Sequence, residues 1–309
     1  MKQKEAQAAS EAPVNKRKTA NFHRTAVFCI SIYPKRKETA MKHSINIRYF
    51  SAYIGMKKAA EFIANAGFTH LDYTPYVMCE NWEELLKEDV KIINEYGLKV
   101  HQAHFPFNRY GSYKDQHKLY IDRVVNAGEQ LGVKYYAVHG DEFDFENRKF
   151  SKDAALEYNH NYFLPYVERA KKNSYKIAFE TLFEDWDRPR FTSEADDLYN
   201  LIGSYGCDAA VCCWDFGHGH ISFGQKAPEV IERFGSLIQC THLHDSAGND
   251  SHQLPTTGDI DWKSTIGAFK KIGYEGVLSV EYAHGKIPEQ FVSRFIDLTY
   301  KTSEYLYTL

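Results

Sequence analysis

The chain has 309 residues, of which 43% are hydrophobic and 26% are charged, and this globular composition allows one barrel or two smaller domains. The net charge of −3 is unevenly spread: residues 1–40 hold nine Lys/Arg and three Asp/Glu, so residues 41–309 carry −9. A body that is this acidic is a poor non-specific partner for a phosphate backbone, which argues against nucleic acid as a ligand.

The cysteine pattern and the hydropathy indicate a cytoplasmic protein. The six cysteines are Cys29, Cys79, Cys207, Cys212, Cys213 and Cys240. They form no C-x-x-C pair, and several lie in apolar runs, which is typical of free buried thiols in a reducing compartment. No apolar run reaches the roughly 18–20 residues that a membrane span needs. The apolar run 26–33 is too short for a signal peptide.

Residues 1–40 differ from the rest of the chain. They are rich in Lys, Ala and Gln and show neither helical nor strand periodicity, which indicates a disordered extension. A start site placed too early is a second interpretation, because Met41 directly precedes the first strong strand. A basic targeting peptide is a third, and Glu5 and Glu11 argue against it. We therefore expect one folded domain over residues 41–309.

Strand and helix signals alternate from residue 42 onward. The predicted strands cover residues 44–49, 70–75, 99–105, 135–140, 176–181, 209–215, 238–245 and 277–282. The predicted helices cover residues 57–66, 115–131, 151–172, 193–204, 263–272 and 288–305. Eight such repeats over about 265 residues predict an α/β protein with a single-domain (β/α)₈ TIM barrel. A doubly wound open sheet is the alternative, but residues 49–55 lack the Gly-rich loop that often follows its first strand.

Polar side chains occur where the predicted strands end, which is where a barrel carries its catalytic groups. These residues are His104, His139, Glu180, Asp215, His218, His242, His244, Asp245 and Glu281. Any one of them could be a buried acid paired with a cation, or a hydrogen-bonded core histidine. Six consecutive strands that each supply such a group favour a shared site, because isolated buried carboxylates are costly.

A divalent metal would satisfy these carboxylates together. The candidate ligands are Glu180, Asp215, His242 and Glu281. This oxygen-rich set favours Mn²⁺ or Mg²⁺, and Zn²⁺ or Co²⁺ also fit. The remaining histidines at this end of the barrel are His104, His139, His218 and His252. They either bind substrate oxygens or complete a multinuclear zinc cluster.

The motifs resemble the xylose isomerase-like barrels, the superfamily of sugar phosphate isomerases/epimerases and endonuclease IV. The similarity covers nearly all of residues 41–309. The segments that carry it are Phe179-Glu180, Trp214-Asp215-Phe216-Gly217-His218, Thr241-His242-Leu243-His244-Asp245, Asp250-Ser251-His252-Gln253-Leu254-Pro255, Gly258-Asp259-Ile260-Asp261-Trp262, Ile272-Gly273-Tyr274-Glu275-Gly276 and Val280-Glu281. These motifs are specific for the superfamily and weak for any one substrate.

The resemblance implies roles for individual residues. It implies that Glu180, Asp215, His242 and Glu281 bind the metal, that Glu180 and Glu281 are the acid–base pair, and that His218 contacts the substrate. The implied activity is a metal-dependent sugar isomerase or epimerase that acts through a metal-stabilised enediolate, and dimers and tetramers are frequent among such enzymes. The chain lacks the Arg that follows the strand-seven His in related epimerases, and it lacks an obvious phosphate-binding loop.

Two other functions fit parts of the pattern. An endonuclease IV-like phosphodiesterase for abasic DNA would use its zinc ligands at positions that match His104, His139, Glu180, Asp215, His218, His242, Asp250, His252 and Glu281. The acidic barrel argues against that function. A non-catalytic carbohydrate-binding barrel is the other alternative, and the retention of all four candidate ligands argues against it.

Overall fold

A computed structural model describes residues 42–108, 116–185, 188–282 and 287–309. Residues 1–40, expected to be an extension, lie outside this part of the chain. Residues 41–309 form one compact unit. Among the described residues, no helix is both long enough and apolar enough to cross a bilayer. As predicted, Cys212, Cys213 and Cys240 are buried free thiols, whereas Cys79 is exposed.

Eight parallel strands form one sheet in the order β7-β6-β5-β4-β3-β2-β1-β8. The strands are β1 (His43–Asn46), β2 (His70–Asp72), β3 (Lys99–His104), β4 (Tyr135–Val138), β5 (Lys176–Glu180), β6 (Ala210–Asp215), β7 (Ile238–His242) and β8 (Leu278–Val280). The sheet closes just beyond β7, where the Leu243 amide donates to the Ser279 carbonyl at 2.7 Å and the Glu281 amide donates to the Leu243 carbonyl at 3.1 Å. The predicted (β/α)₈ barrel is confirmed, and the open doubly wound sheet is wrong.

Every strand is followed by at least one helix. The helices in the described residues are α1 (Arg48–Ile54), α2 (Met56–Ala66), α3 (Trp82–Glu95), α4 (His117–Leu131), α5 (Lys152–Lys172), α6 (Ala195–Ser204), α7 (Phe216–Phe223), α8 (Ala227–Phe234), α9 (Trp262–Lys271) and α10 (Glu289–Leu306). The six predicted helices have ends within two residues of α2, α4, α5, α6, α9 and α10. The expected cap of α5 is present, because the Ser151 side chain accepts from the Ala154 amide. Helix α4 ends at Gly132, which has a φ of 71° that favours glycine.

The sequence interpretation was wrong in two respects. It missed α1, α3, α7 and α8, and it extended the first strand to residue 49 although α1 begins at Arg48. Tyr49 and Phe50 have strand propensity, but both belong to helix α1. The buried ring of Phe50 packs near Phe295 of α10. Tertiary packing therefore overrides local propensity at this position.

The core has two parts, because strand side chains alternate between the helices and the barrel interior. Tyr136, Phe179 and Trp214 belong to the large cluster that the helices cover. The neighbouring residues form a separate small cluster, which comprises Ala137, Ala178, Val211, Cys213 and Cys240. These small side chains fill the barrel below the strand ends.

Candidate metal centre

The inward-facing positions continue from this small cluster to the site. Ala178 on β5 and Cys213 on β6 belong to the cluster, and Glu180 and Asp215 lie two residues further along the same strands. Because strand side chains alternate, both carboxylates face the same way as the small residues. They are the last residues of their strands and are 1% and 0% exposed. His139 likewise lies two residues beyond Ala137 of the small cluster, so alternation gives it the same inward direction.

The four predicted metal ligands come together at this end of the barrel. One ligand atom from each of the four lies within 4.8 Å of the others, in the set Glu180, Asp215, His242 and Glu281. The Nδ1 atom of His242 lies 3.1 Å from Glu180 Oε1, 3.4 Å from Glu281 Oε2 and 3.9 Å from Asp215 Oδ2. Glu281 has 14% of its side-chain surface exposed, so the group opens on that side.

The surroundings of His242 test whether this group fits a cation. Its ring nitrogens are buried, and neither has a directed hydrogen-bond partner in the part of the chain that the structure describes. Nδ1 faces three carboxylates, while Nε2 lies 3.6 Å from Asp72 Oδ2. A buried unpartnered nitrogen is costly, and the two buried carboxylates and the partly exposed Glu281 together need positive charge. One imidazole and three carboxylates match the donor set of a divalent metal, so these residues fit one.

Glu180 lies at the middle of a ring of histidines. Its Oε2 atom is 3.0 Å from His104 Nε2 and 3.5 Å from His139 Nε2, and its Oε1 atom is 3.3 Å from His218 Nδ1. Burial alone would raise the pKa of Glu180, but His242 and the other rings lower that pKa well below its usual range. Glu180 is therefore a carboxylate at neutral pH.

Two further groups of ligand-type side chains adjoin the central one. The first comprises His104, His139 and Glu180, and the second comprises His218, His244, Asp250 and His252. In the second group, Asp250 Oδ1 lies 3.0 Å from His252 Nε2 and 3.4 Å from His218 Nε2. Burial opposes protonation of His252, but Asp250 and neighbouring carboxylates raise the pKa of His252 to about 9. All eight predicted site residues thus lie in three contiguous groups.

Helix α7 explains the Asp-x-x-His spacing of the sixth strand. Asp215 caps this helix, because its Oδ1 atom accepts from the His218 amide at 2.7 Å. Its other oxygen, Oδ2, lies 2.9 Å from His244 Nε2. The first turn therefore carries His218 over the barrel mouth. Gly217 lies between them, and a Cβ there would collide with the ring of His244.

Asp245 supports the loop that carries Asp250 and His252. Its Oδ1 atom accepts from the amides of Ser246 and Ile260, at 2.9 and 3.2 Å. Its Oδ2 atom accepts from the Thr256 amide and from Trp262 Nε1, at 2.8 and 2.7 Å. Asp245 is fully buried, so these donors compensate its charge. It organises the loop and is not one of the clustered ligand-type residues.

Aromatic rings and one arginine flank the group of His104, His139 and Glu180. The ring of Phe107 is 49% exposed and lies 4.7 Å from the rings of both His104 and His139. The Arg190 guanidinium donates from Nε to Asp141 Oδ2 at 2.7 Å, and its terminal nitrogen lies 3.2 Å from His139 Nδ1. This arginine is a cation next to the site.

The sequence did not point to Asp72 or Arg190, and His244 was noted only as a strand-end residue with no role of its own. Asp72 faces His242, His244 contacts Asp215, and Arg190 contacts His139. Asp72 ends β2, so the strand-end rule could have found it. His244 lies two residues after His242, with inward parity. Arg190 lies in the loop after β5, and no strand periodicity marks it.

The chain is similar to known proteins over most of its length. The family described as "Xylose isomerase-like TIM barrel" matches residues 60–297. The uncharacterized protein y4fM of Sinorhizobium fredii is 25% identical over an alignment of 263 residues, which covers 74% of this chain and 81% of y4fM.

Solved structures share the fold at low identity. A D-tagatose 3-epimerase-like protein has a TM-score of 0.67 and 20% identity, covering 87% of this chain and 100% of that one. The 3-keto-D-glucoside 4-epimerase YcjR of E. coli has a TM-score of 0.66 and 17% identity, covering 87% and 99%. The IolI protein with a bound zinc atom has a TM-score of 0.66 and 18% identity, covering 85% and 97%.

Proposed function

Because the chain belongs to the xylose isomerase-like TIM barrel family, we propose that it is a metal-dependent isomerase or epimerase of a sugar or sugar-like polyol. One observation carries the proposal: the carboxylates of Glu180, Asp215 and Glu281 converge on the buried, unpartnered Nδ1 atom of His242. Aldose–ketose isomerisation, C3 epimerisation and dehydration of a cyclic polyol or keto acid all begin with removal of a proton beside a carbonyl. The proposal covers this shared step.

These four residues would hold one divalent ion. Three carboxylates and one imidazole favour Mn²⁺ or Mg²⁺, and Zn²⁺ or Co²⁺ also suit the set. When bound, the ion polarises the substrate carbonyl and stabilises the negative charge that develops on its oxygen. The zinc atom in the structurally similar IolI protein is consistent with a cation in this type of barrel.

Glu180 and Glu281 are the proposed acid–base pair. Both carboxylates lie near His242 Nδ1, at 3.1 Å for Glu180 and 3.4 Å for Glu281, so a sugar bound at this atom is within reach of both. One carboxylate removes the proton beside the carbonyl, and the other returns a proton to the opposite face or to the neighbouring atom. The neighbouring histidines hold the pKa of Glu180 below its usual range, so the side chain is in the unprotonated form that a general base needs.

The surrounding side chains suit a polyhydroxylated substrate. We propose that His104, His139, His218 and His252 bind its oxygens. The exposed ring of Phe107 offers an apolar face beside His104 and His139. The net charge of −9 over residues 41–309 favours a small molecule over nucleic acid. A cytoplasmic location and a homodimer or homotetramer complete the proposal.

Solvent deuterium exchange tests the proposed reaction. Purified protein with Mn²⁺ should incorporate deuterium from D₂O beside the carbonyl of candidate ketoses, measured by NMR across a panel of free and phosphorylated sugars. Glu180→Gln and Glu281→Gln should each abolish this exchange, because they remove the acid–base groups while keeping side-chain size. Exposed Glu157→Gln on α5 is the matched control and should exchange like wild type. Full exchange in both site variants would remove the acid–base assignment.

A second function is favoured by the three contiguous groups of ligand-type residues. They include the positions expected for an endonuclease IV-like phosphodiesterase, and a multinuclear centre could stabilise both the attacking and the leaving oxygen of a phosphodiester. Incubation of the Zn²⁺-loaded protein with a duplex containing one abasic site tests this function directly. Strand cleavage that is lost in Glu180→Gln would favour the nuclease over the sugar enzyme.

A further inference from the structure

The site histidines differ in what contacts the ring nitrogen that points away from the cluster. A neutral imidazole has one nitrogen with a proton and one with a lone pair, and only the lone pair can bind a metal. The partner of the outer nitrogen therefore decides what the inner nitrogen can do. An acceptor at the outer nitrogen prepares a metal ligand, whereas a donor there prevents one.

Four rings have an acceptor at the outer nitrogen. Their Nδ1 atoms each lie near a backbone carbonyl, with distances of 2.6 Å for His104 to Phe105, 2.9 Å for His218 to Thr181, 3.3 Å for His244 to Asp245 and 3.4 Å for His252 to Glu281. A carbonyl oxygen only accepts, so each Nδ1 donates, and Nε2 is the nitrogen that a neutral ring leaves for a metal. These rings can act as metal ligands through Nε2.

His139 has the opposite arrangement. Its Nδ1 atom lies 3.2 Å from the terminal nitrogen of Arg190, and a guanidinium only donates. Nδ1 must therefore accept, and the proton of the neutral ring must be on Nε2, which lies 3.5 Å from Glu180 Oε2. A protonated nitrogen has no lone pair for a metal, but it can donate to an oxygen.

Arg190 is held firmly in this role. Its Nε atom donates to Asp141 at 2.7 Å, and its guanidinium lies over the ring of Phe183, 5.2 Å from the ring centre. Only 16% of its side-chain surface is exposed. Rotation of Arg190 away from His139 would break a charge-assisted hydrogen bond and a stacked contact.

We propose that Arg190 is a positioning residue that fixes His139 as an Nε2–H donor. The group of His104, His139 and Glu180 then takes no metal, and His139 donates to a substrate oxygen beside Glu180. The substrate contact rests on the proposed function, whereas the absence of a metal at this group does not.

NMR of the histidine ring nitrogens tests the proposal in the full chain. Two-bond proton–nitrogen spectra distinguish the two tautomers, and His139→Gln assigns the signals of His139. In metal-free protein we expect His139 to carry its proton on Nε2 and His104 to carry a proton on Nδ1. Arg190→Leu should remove the preference of His139, whereas the matched control Arg188→Leu, whose guanidinium packs over Phe145, should not. A wild-type His139 in the Nδ1–H form would overturn the proposal.

Zn²⁺ binding gives a readout that needs no substrate. Equilibrium dialysis against Zn²⁺ should give the same number of ions per chain for wild type and His139→Ala, because His139 is not a ligand. Arg190→Leu should bind one ion more than wild type, because His139 can then offer its lone pair. Loss of one ion in His139→Ala would overturn the proposal. Failure of the sugar exchange assay alone would instead overturn the proposed function.

Discussion

The two sides of the barrel mouth use the same residue types and offer different chemistry. On the side of β6 to β8, backbone carbonyls hold the outer nitrogens of His218, His244 and His252, and the inner nitrogens face carboxylates. On the side of β3 and β4, His104 follows this rule, but His139 meets Arg190 instead. Under our proposal, the number of metal ions that such a cluster holds depends on the residues behind the ligands as well as on the ligands.

The largest expected effect is on the side that we propose to bind the metal. His242→Ala removes the only imidazole of the central group, so bound metal should be lost and deuterium exchange should fall by about 10³-fold or more. Elemental analysis and the exchange assay measure the two effects. His139→Ala, from the other side, should retain the metal. Equal metal loss in both variants would show that the two sides do not differ.

The close approach of Gly217 to His244 tests how tightly the β6 side is packed. Gly217→Ala should lower the free energy of unfolding by about 1–3 kcal/mol, because the new methyl group collides with the buried ring of His244. Urea unfolding measures the change. Gly203→Ala in α6 is the matched control, since nothing lies within 4 Å of its Cβ position, and it should be neutral or slightly stabilising. Identical behaviour of the two variants would contradict the packing argument.

A substitution of Asp72 tests whether the carboxylate next to His242 Nε2 supports metal binding by the central group. Asp72→Asn removes the carboxylate that faces His242 Nε2, and Asn46 and Gln102 still fill the space around it. Metal affinity should fall about 10–100-fold, as is typical when a carboxylate behind a ligating histidine is lost. Competition with a chromogenic chelator measures this affinity. An unchanged affinity would mean that Asp72 does not support the ligand.

The smallest expected effect is a pH dependence of stability that comes from Glu142, on the side of β3 and β4. Burial raises the pKa of Glu142 to about 8, which is above the value of an unfolded glutamate, so the folded state binds its proton more tightly. The stabilisation is complete below the unfolded pKa and is lost as the pH rises toward 8. Between pH 6 and 7 the free energy of unfolding should fall by up to about 1 kcal/mol. Glu142→Gln should reduce this slope, whereas Glu157→Gln should keep it, as measured by urea unfolding at each pH.

The barrel and its strand ends could be predicted because both follow from repeated local patterns. Glu180, Asp215 and His242 each end a short apolar strand. Because side chains alternate along a strand and all strands of the barrel end at the same rim, their location in the fold could be predicted. Helix α7 was missed because its two glycines and two histidines have low helix propensity, and the Asp215 cap helps to form it. The contact between Arg190 and His139 depends on the path of a loop, which no periodicity encodes.

The anchoring of the seventh-strand loop has a consequence for how this barrel can diversify. Asp245 receives donors from Ser246, Thr256, Ile260 and Trp262, so one carboxylate ties both ends of the loop to the barrel. The stretch between these anchors carries Asp250 and His252. Side-chain substitutions at these two positions leave the four donors to Asp245 in place, and they also leave the backbone pairing of Asp245 with Gln253 in place. Changes at these positions can therefore alter the side chains at one edge of the barrel mouth without altering those on the neighbouring strands.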